Sequence, residues 1–560
     1  MPNVRFSFSD FEGLIGKNIL PDKDKLNDLL AFVKGDVESI EADRVSIEIK
    51  DSNRPDIWSV EGICRALRSQ LGIGQVKPVR VTAKSRLKVI IDKRLKAIRP
   101  YIACAIVKQL TPTDESITSW ISLQEKLDLT YGRKRKRSSI GYYDADLIKS
   151  PLHYTVTNPS ATSFVPLGGD RKMRLKEIVS SHPKGLVYGP IISSFKEWPI
   201  LHDDEGKILS LPPVINSNDL GKITTETRNI LIEVTGTNWE TVHNTLKIVV
   251  SALYERNGRI HSCIENYQYG PQKTVTTPDL TPDKRTLQLP YASKILGIEL
   301  GPSRAVKCAK KAGYGVIRST SKTLELEVPC YRIDIMHPID IVEDIAVSLD
   351  INSFTPEWPK IPTIGALSPQ TEQRETLGEI MIGLGFQEVV TYALTSTEIV
   401  AEKPMVHDPS LVQLANPKMS THTTLRNWLL PSLLEFLSHN THVDYPQKIF
   451  EVATCIQRTT TSSEDRADDA LKLAATIIHP TAGFTEIRAS LDSLSQNLDR
   501  RFQIEPAKHP SFLPGRCGSI RYAGREVGIL GEINPDVLVS WGLNLPAAAF
   551  EVNVDPLLNG

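Results

Sequence analysis

Nothing in this sequence marks a zinc knuckle, a disulfide frame or a membrane span. The seven cysteines, Cys64, Cys104, Cys263, Cys308, Cys330, Cys455 and Cys517, stand singly, with no CxxC pair. An odd, dispersed set fits free thiols in a reducing compartment. No apolar run approaches the roughly 20 residues that cross a bilayer, and MPNVRFSFSDFEGLIGK has no apolar signal region. The expectation is a cytoplasmic protein without membrane contact. Neither charge is in excess: Lys plus Arg and Asp plus Glu are both 66. That excludes a uniformly basic nucleic-acid coat but leaves local basic patches open. GLIGKN lacks the GxxxxGK of a phosphate loop, GYG lacks a third glycine, and no Ser-His-Asp triad is evident. No 20–50-residue repeat suggests a solenoid.

What is present is ordinary globular material: 560 residues, 40% hydrophobic and 24% charged, enough for several cores. The pattern is α+β and multidomain. In residues 1–88 the alternating VSIEIKD predicts a strand, and Val60, Ile63, Leu67 and Leu71 predict one helix face. Residues 89–268 mix strands such as YIACAIVKQL with helices such as SITSWISLQEKLDL and NWETVHNTLKIVVSALYERN. The polar, proline-bearing stretch 266–290 reads as a linker. A compact module over 269–356 has helix–helix–strand order with a third helix from Pro338, which suits a winged-helix-like unit. FTPEWPKIPTIGALSP reads as a second linker. The region 370–560 opens with a helix carrying Leu377, Ile380, Met381 and Leu384 on one face, suited to assembly or to a core. Strands QEVVTYAL, QKIFEVATCI and KLAATIIH follow, and TTTSSEDRADDA reads as a surface loop.

Two charge clusters invite chemistry. In YRIDIMHPIDIVEDIA, residues 331–346, Pro338 suits a first helical turn. Asp340, Glu343 and Asp344 then share a face at i, i+3 and i+4, opposite Ile341, Ile345 and Leu349, with Asp334 just before the turn. Crowded carboxylates repel unless a hard cation such as Mg²⁺ offsets them. Spacing alone favours the plainer alternative, a solvated acidic face near a helix N-terminus. The second cluster is YGRKRKRSS, with Arg133, Lys134, Arg135, Lys136 and Arg137 in one block. It fits either an exposed loop or a salt-sensitive contact to phosphates.

YRxDIxHPxDIxEDIA resembles a signature of phenylalanine–tRNA ligase beta subunits of the archaeal and eukaryotic type. SNRPDIWSVEGICRAL, LPPVINS, IEVTGTNWE, TTLRNWLLPSLLEFLSHN, IFEVATC, FLPGRCGSI and GILGEINPD resemble other parts of that family in the same order. The resemblance covers essentially the whole chain. It implies that Asp334, Asp340, Glu343 and Asp344 are Mg²⁺ ligands in a site shared with an alpha subunit. It also implies an editing-type α/β domain over 89–268, where misacylated tyrosyl-tRNA would be hydrolysed.

A phenylalanine pocket rejects tyrosine poorly, so a second site must read the extra hydroxyl. Asn216, Ser217, Glu233, Thr235 and Thr237 are the candidates, though turn chemistry uses the same residue types. The basic run would touch tRNA(Phe). The carboxy-terminal region resembles a class II ligase antiparallel-sheet domain, but IFEVATCIQR has Glu451 without an FRxE pattern, and no glycine-rich motif ends in arginine. Adenylation would then fall to the alpha subunit, in an assembly of two alpha and two beta chains using ATP and Mg²⁺. A free-standing editing hydrolase and a non-enzymatic RNA-binding scaffold are the rival readings.

Overall fold

The computed structural model describes residues 2–19, 22–73, 78–271, 273–408, 410–460 and 465–558. The chain divides into two compact units, Met1–Trp358 and Pro359–Gly560.

The first unit is built on a ten-stranded sheet. One strand in from its edge lies Ile230–Gly236, ILIEVTG, buried along its whole length. It pairs antiparallel with Tyr101–Lys108 on one side and Ser138–Asp144 on the other. Side chains alternate across such a strand, so its two faces see different surroundings. Ile230, Ile232 and Val234 join Ala103, Ala105, Val107, Ile140 and Tyr142 against the helices Asp114–Leu129 and Trp239–Glu255. Each Val or Ile among them contributes about 1.5–3 kcal/mol of burial. Leu231, Ile102, Cys104, Ile106 and Tyr143 belong to a second core on the other face.

The amino-terminal elements do not make a separate core. Their three-stranded sheet and the helix Val60–Leu71 share one apolar cluster with the helix-covered face of the large sheet. Val60, Ile63 and Leu67 are buried as the periodicity predicts, while Leu71 lies at the edge. Arg256 anchors the seam, pairing with Asp10 at 2.5 Å and with the fully buried Glu61 at 2.9 Å.

The stretch 266–290 is not a linker. It contributes the strand Thr274–Thr277 to the large sheet and Asp283–Gln288 to a three-stranded antiparallel sheet. Its prolines misled because they fall between strands rather than inside them. The module then runs through helices Leu289–Leu296 and Pro302–Lys311, the hairpin Gly315–Ser319 and Thr323–Val328, and the helix Pro338–Leu349.

Residues 354–368 carry no regular structure. In the second unit a seven-stranded sheet is antiparallel except at its Gln387–Glu388 edge. Helices Pro369–Gly383 and Phe484–Asn497 cover one face, and Leu430–His439 and Pro535–Ser540 the other. Leu377 and Met381 are wholly buried inside this unit, so the apolar stripe of the first helix is core. QEVVTYAL is strand only at Gln387–Glu388 and Leu394–Thr395. TTTSSEDRADDA is mostly strand as well: Gln447–Thr460 and Asp465–Ile478 pair along fourteen residues each, and residues 461–464 lie outside the described residues. Among the described residues no helix is long and apolar enough to cross a membrane, and all seven cysteines are free.

Candidate functional site

Strand register assembles the site. Glu233 lies opposite Gly141, Thr235 opposite Ser139, and Leu231 opposite Tyr143. Period-two alternation puts these six positions on the face turned away from the helices. Glu233 is buried, and the Tyr143 hydroxyl lies 2.8 Å from its Oε2. Its Oε1 has no hydrogen-bond partner. Burial pushes the Glu233 carboxyl up to about 7, opposed by the Tyr143 and Thr235 hydroxyls and by the charge of Arg99. A carboxyl poised there can give or accept a proton near neutrality. Gly141 leaves the room: a Cβ there would overlap the Tyr143 hydroxyl and stand 2.6 Å from Glu233 Oε2.

Arg99, itself buried, organises the floor. It donates to Thr235 Oγ1 at 3.0 Å, to the Thr235 carbonyl at 2.6 Å and to Ser139 Oγ at 2.9 Å. The opposite wall is residues 210–216. Asn216 Oδ1 lies 3.3 Å from the Tyr143 hydroxyl. A small cavity of 20 Å³ is lined by Glu233, Ser139, Ser210, Pro212, Pro213 and Asn216, among others. Beside it a cleft of 470 Å³ is lined by Gln124, Tyr142, His182, Lys184, Asn216 and Lys222, among others. Arg135, Ile140, Ile215 and Asn216 line both spaces. Glu265, on the same face and pushed up to about 8 by burial, also has an oxygen without a partner, but it lines neither space.

The basic run is not one solvated loop. Arg133, Lys134 and Arg135 have φ of 50°, 53° and 65°, three consecutive left-handed residues. L-residues resist this conformation by roughly 1–2 kcal/mol each. Backbone bonds hold the turn: Lys134 to the Leu129 carbonyl, Arg135 to Asp128, and Arg137 to Gly132. Arg133, Lys134, Lys136 and Arg137 face solvent. Arg135 turns inward, pairing with the buried Asp128 at 2.9 Å.

The predicted residues therefore part company. Glu233, Thr235 and Asn216 meet at the site. Ser217 is buried but serves its own turn, accepting from the Leu220 amide at 3.3 Å. Thr237 is exposed and donates to the Lys136 carbonyl at 2.9 Å, bracing the basic turn. Tyr143, Gly141, Ser139, Ser210 and Arg99 went unread. SSIGYYD did carry a signal, since Ser139, Gly141 and Tyr143 alternate along one strand face.

The acidic cluster is closed on itself. Arg332, buried, donates to Asp334 at 2.7 and 2.9 Å and to Asp344 at 2.7 Å. The Tyr314 hydroxyl also donates to Asp344. Asp340 turns back to cap its own helix, accepting from the Met336 and His337 amides at 2.8 and 2.7 Å. Glu343, over half exposed, pairs with Lys34 at 2.5 Å. Among the described residues no three His, Cys, Asp or Glu groups gather as a metal shell. As placed, these four carboxylates do not fit a magnesium ion. In the second unit, Glu451 pairs with the buried Arg426 at 3.1 Å and accepts from Thr391 Oγ1 at 2.6 Å.

Two family models match, the tRNA synthetase B5 domain over residues 285–350 and the phenylalanyl-tRNA synthetase beta chain CLM domain over residues 355–554. Those domains define a component of an aminoacyl-tRNA synthetase. The phenylalanine–tRNA ligase beta subunit of Thermococcus kodakarensis is 39% identical across 100% of this chain and 99% of its own length. That of Pyrococcus horikoshii is 39% identical, with 100% of both chains covered. An amino-terminal fragment of the Pyrococcus horikoshii phenylalanyl-tRNA synthetase beta subunit, solved as a crystal structure, matches with a TM-score of 0.59 and 38% identity, over 62% of this chain and 99% of that fragment. The chain belongs to the phenylalanine–tRNA ligase beta subunits, and so is a component of a ligase.

Proposed function

We propose that this chain supports ATP-dependent attachment of phenylalanine to tRNA(Phe) and removes tyrosine attached in error. It would work with an alpha subunit, in an assembly of two alpha and two beta chains, in the cytoplasm. One observation carries the editing reading: Glu233, buried with one oxygen free of partners, lies on a small cavity that shares its wall with an open cleft. A carboxyl so placed reads a phenolic hydroxyl, the one group that separates tyrosine from phenylalanine. A site built to bond a hydroxyl rejects the analogue lacking it far more strongly than an apolar pocket rejects an added hydroxyl.

The 20 Å³ cavity is the size of a single water. A phenolic oxygen entering from the cleft would displace that water, so hydrolysis would use another water, held in the cleft at the ester end of the tyrosyl group, and no side chain lining the two spaces is set as a nucleophile beside a base. The exposed Arg133, Lys134, Lys136 and Arg137 would contact tRNA phosphates. The absence of an FRxE pattern and of a glycine-rich motif ending in arginine supports a non-adenylating role for the second unit, leaving activation to the alpha subunit. Charging uses Mg²⁺ with ATP, and no carboxylate of this chain is assigned to that ion.

Purification with and without an alpha subunit tests the proposal, by assaying phenylalanine charging and tyrosyl-tRNA hydrolysis. The complex is expected to do both. Charging by the isolated chain would overturn the non-adenylating role. A complex inert on tyrosyl-tRNA would overturn editing and favour the RNA-binding scaffold.

A further inference from the structure

We propose that Arg135 is a positioning residue of the editing site, holding the 212–216 wall at a fixed distance from Glu233. The inference rests on the editing reading above. Arg135 sits in a run of five basic residues, yet it alone of them is drawn inward. Its Nη1 donates to the Pro213 carbonyl at 3.1 Å and to the Val214 carbonyl at 3.0 Å. Its guanidinium pairs with Asp128 at 2.9 Å and lies 4.2 Å over the Tyr188 ring. Its own carbonyl accepts from Arg99 Nη1 at 3.1 Å, and Arg99 also holds Ser139 and Thr235.

One residue thus ties the floor of the site to its wall. The wall continues through Ile215 to Asn216, whose amide oxygen faces the Tyr143 hydroxyl that meets Glu233. Arg135 also lines both the small cavity and the cleft, so its position sets the opening between them.

The left-handed turn explains why this residue is the one drawn inward. Three left-handed residues in a row aim the third side chain into the protein while its neighbours stay in solvent. Such backbone persists where the surroundings over-determine it, and it clusters at functional sites. Lysine cannot replace the guanidinium here. A single ammonium cannot meet two carbonyls and a carboxylate while lying flat on a ring.

The test uses the assembled alpha–beta complex with R135K and R135M. Tyrosyl-tRNA hydrolysis is read as kcat and KM separately, and hydrogen exchange is read at the Val214 and Ser217 amides. These two bond to the Leu211 and Leu209 carbonyls in the native wall. Both variants are expected to lower kcat by roughly ten- to a hundredfold with a smaller change in KM, as misplacement of a reacting geometry does. Exchange at the two amides is expected to quicken, while the buried strand Ile230–Gly236 stays protected.

Unchanged kcat in both variants would overturn the proposal. So would full rescue by R135K, which would reduce Arg135 to a simple charge. A wild-type complex inert on tyrosyl-tRNA would fell the editing reading instead, and slow exchange at Val214 and Ser217 in R135M would then overturn the positioning role separately.

Discussion

Asp334 and Asp344 share one guanidinium, whereas Glu233 has a phenol on one oxygen and nothing on the other. All three carboxyls are largely withdrawn from water. The first two are neutralised by Arg332, which bonds both oxygens of Asp334 and Oδ2 of Asp344. Glu233 has burial without a cation in contact, and burial drives it toward its neutral form. A paired buried carboxylate is a fastening. An unpaired one beside a cavity is open to a ligand that supplies the missing partner.

The comparison can be broken at its closed end first. Arg332→Met would leave two buried carboxylates facing each other, and removing one partner of a buried pair typically costs ~3–5 kcal/mol. Denaturant unfolding of the chain would show this loss, and a change below 1 kcal/mol would mean that the network is slack.

At the open end the sign reverses. Glu233 has its carboxyl raised from 4.5 to about 7 in the folded chain. Below pH 4.5 it is protonated whether folded or unfolded, and stability is unaffected. As pH rises from 4.5 to about 7, the unfolded chain ionises first, so the folded state loses stability, with no further loss above 7. Glu233→Gln escapes this. It should match wild type at pH 4 and exceed it by up to about 3 kcal/mol above pH 7. Unfolding midpoints across that range would show the divergence.

Gly141→Ala sharpens the same site by filling it. The methyl group overlaps the Tyr143 hydroxyl. Overpacking of this kind costs about 1–3 kcal/mol, and tyrosyl-tRNA hydrolysis should fall with the loss of the cradle. Retained hydrolysis would place the reading group elsewhere. Lys134→Ala should have the smallest effect on stability, within about 0.5 kcal/mol, as expected of an exposed side chain. Its effect should appear in tRNA affinity, reducing the salt slope by about one.

Much of this was legible in the sequence where local pattern and tertiary packing agree. The stripe Val60, Ile63 and Leu67, the helix from Pro338 and the long helix Trp239–Glu255 all follow from period and capping. Glu233, Thr235 and Asn216 were reached through their motifs. What stayed hidden depends on strand register and on partners distant in sequence. Gly141 matters because Glu233 lies opposite it, ninety-odd residues away along the chain. Arg135 looked like four neighbours of the same charge, and only backbone conformation separates it from them. Spacing favoured a solvated acidic face and the family resemblance a metal, but neither could show that Arg332, two residues before Asp334, reaches both Asp334 and Asp344.

The most direct measurement is the ratio of tyrosyl-tRNA to phenylalanyl-tRNA hydrolysis by the alpha–beta complex, with wild-type chain and with Glu233→Gln. If Glu233 reads the phenol, wild type favours tyrosyl-tRNA strongly and the variant loses that preference by roughly tenfold or more. An unchanged ratio in the variant would contradict the account.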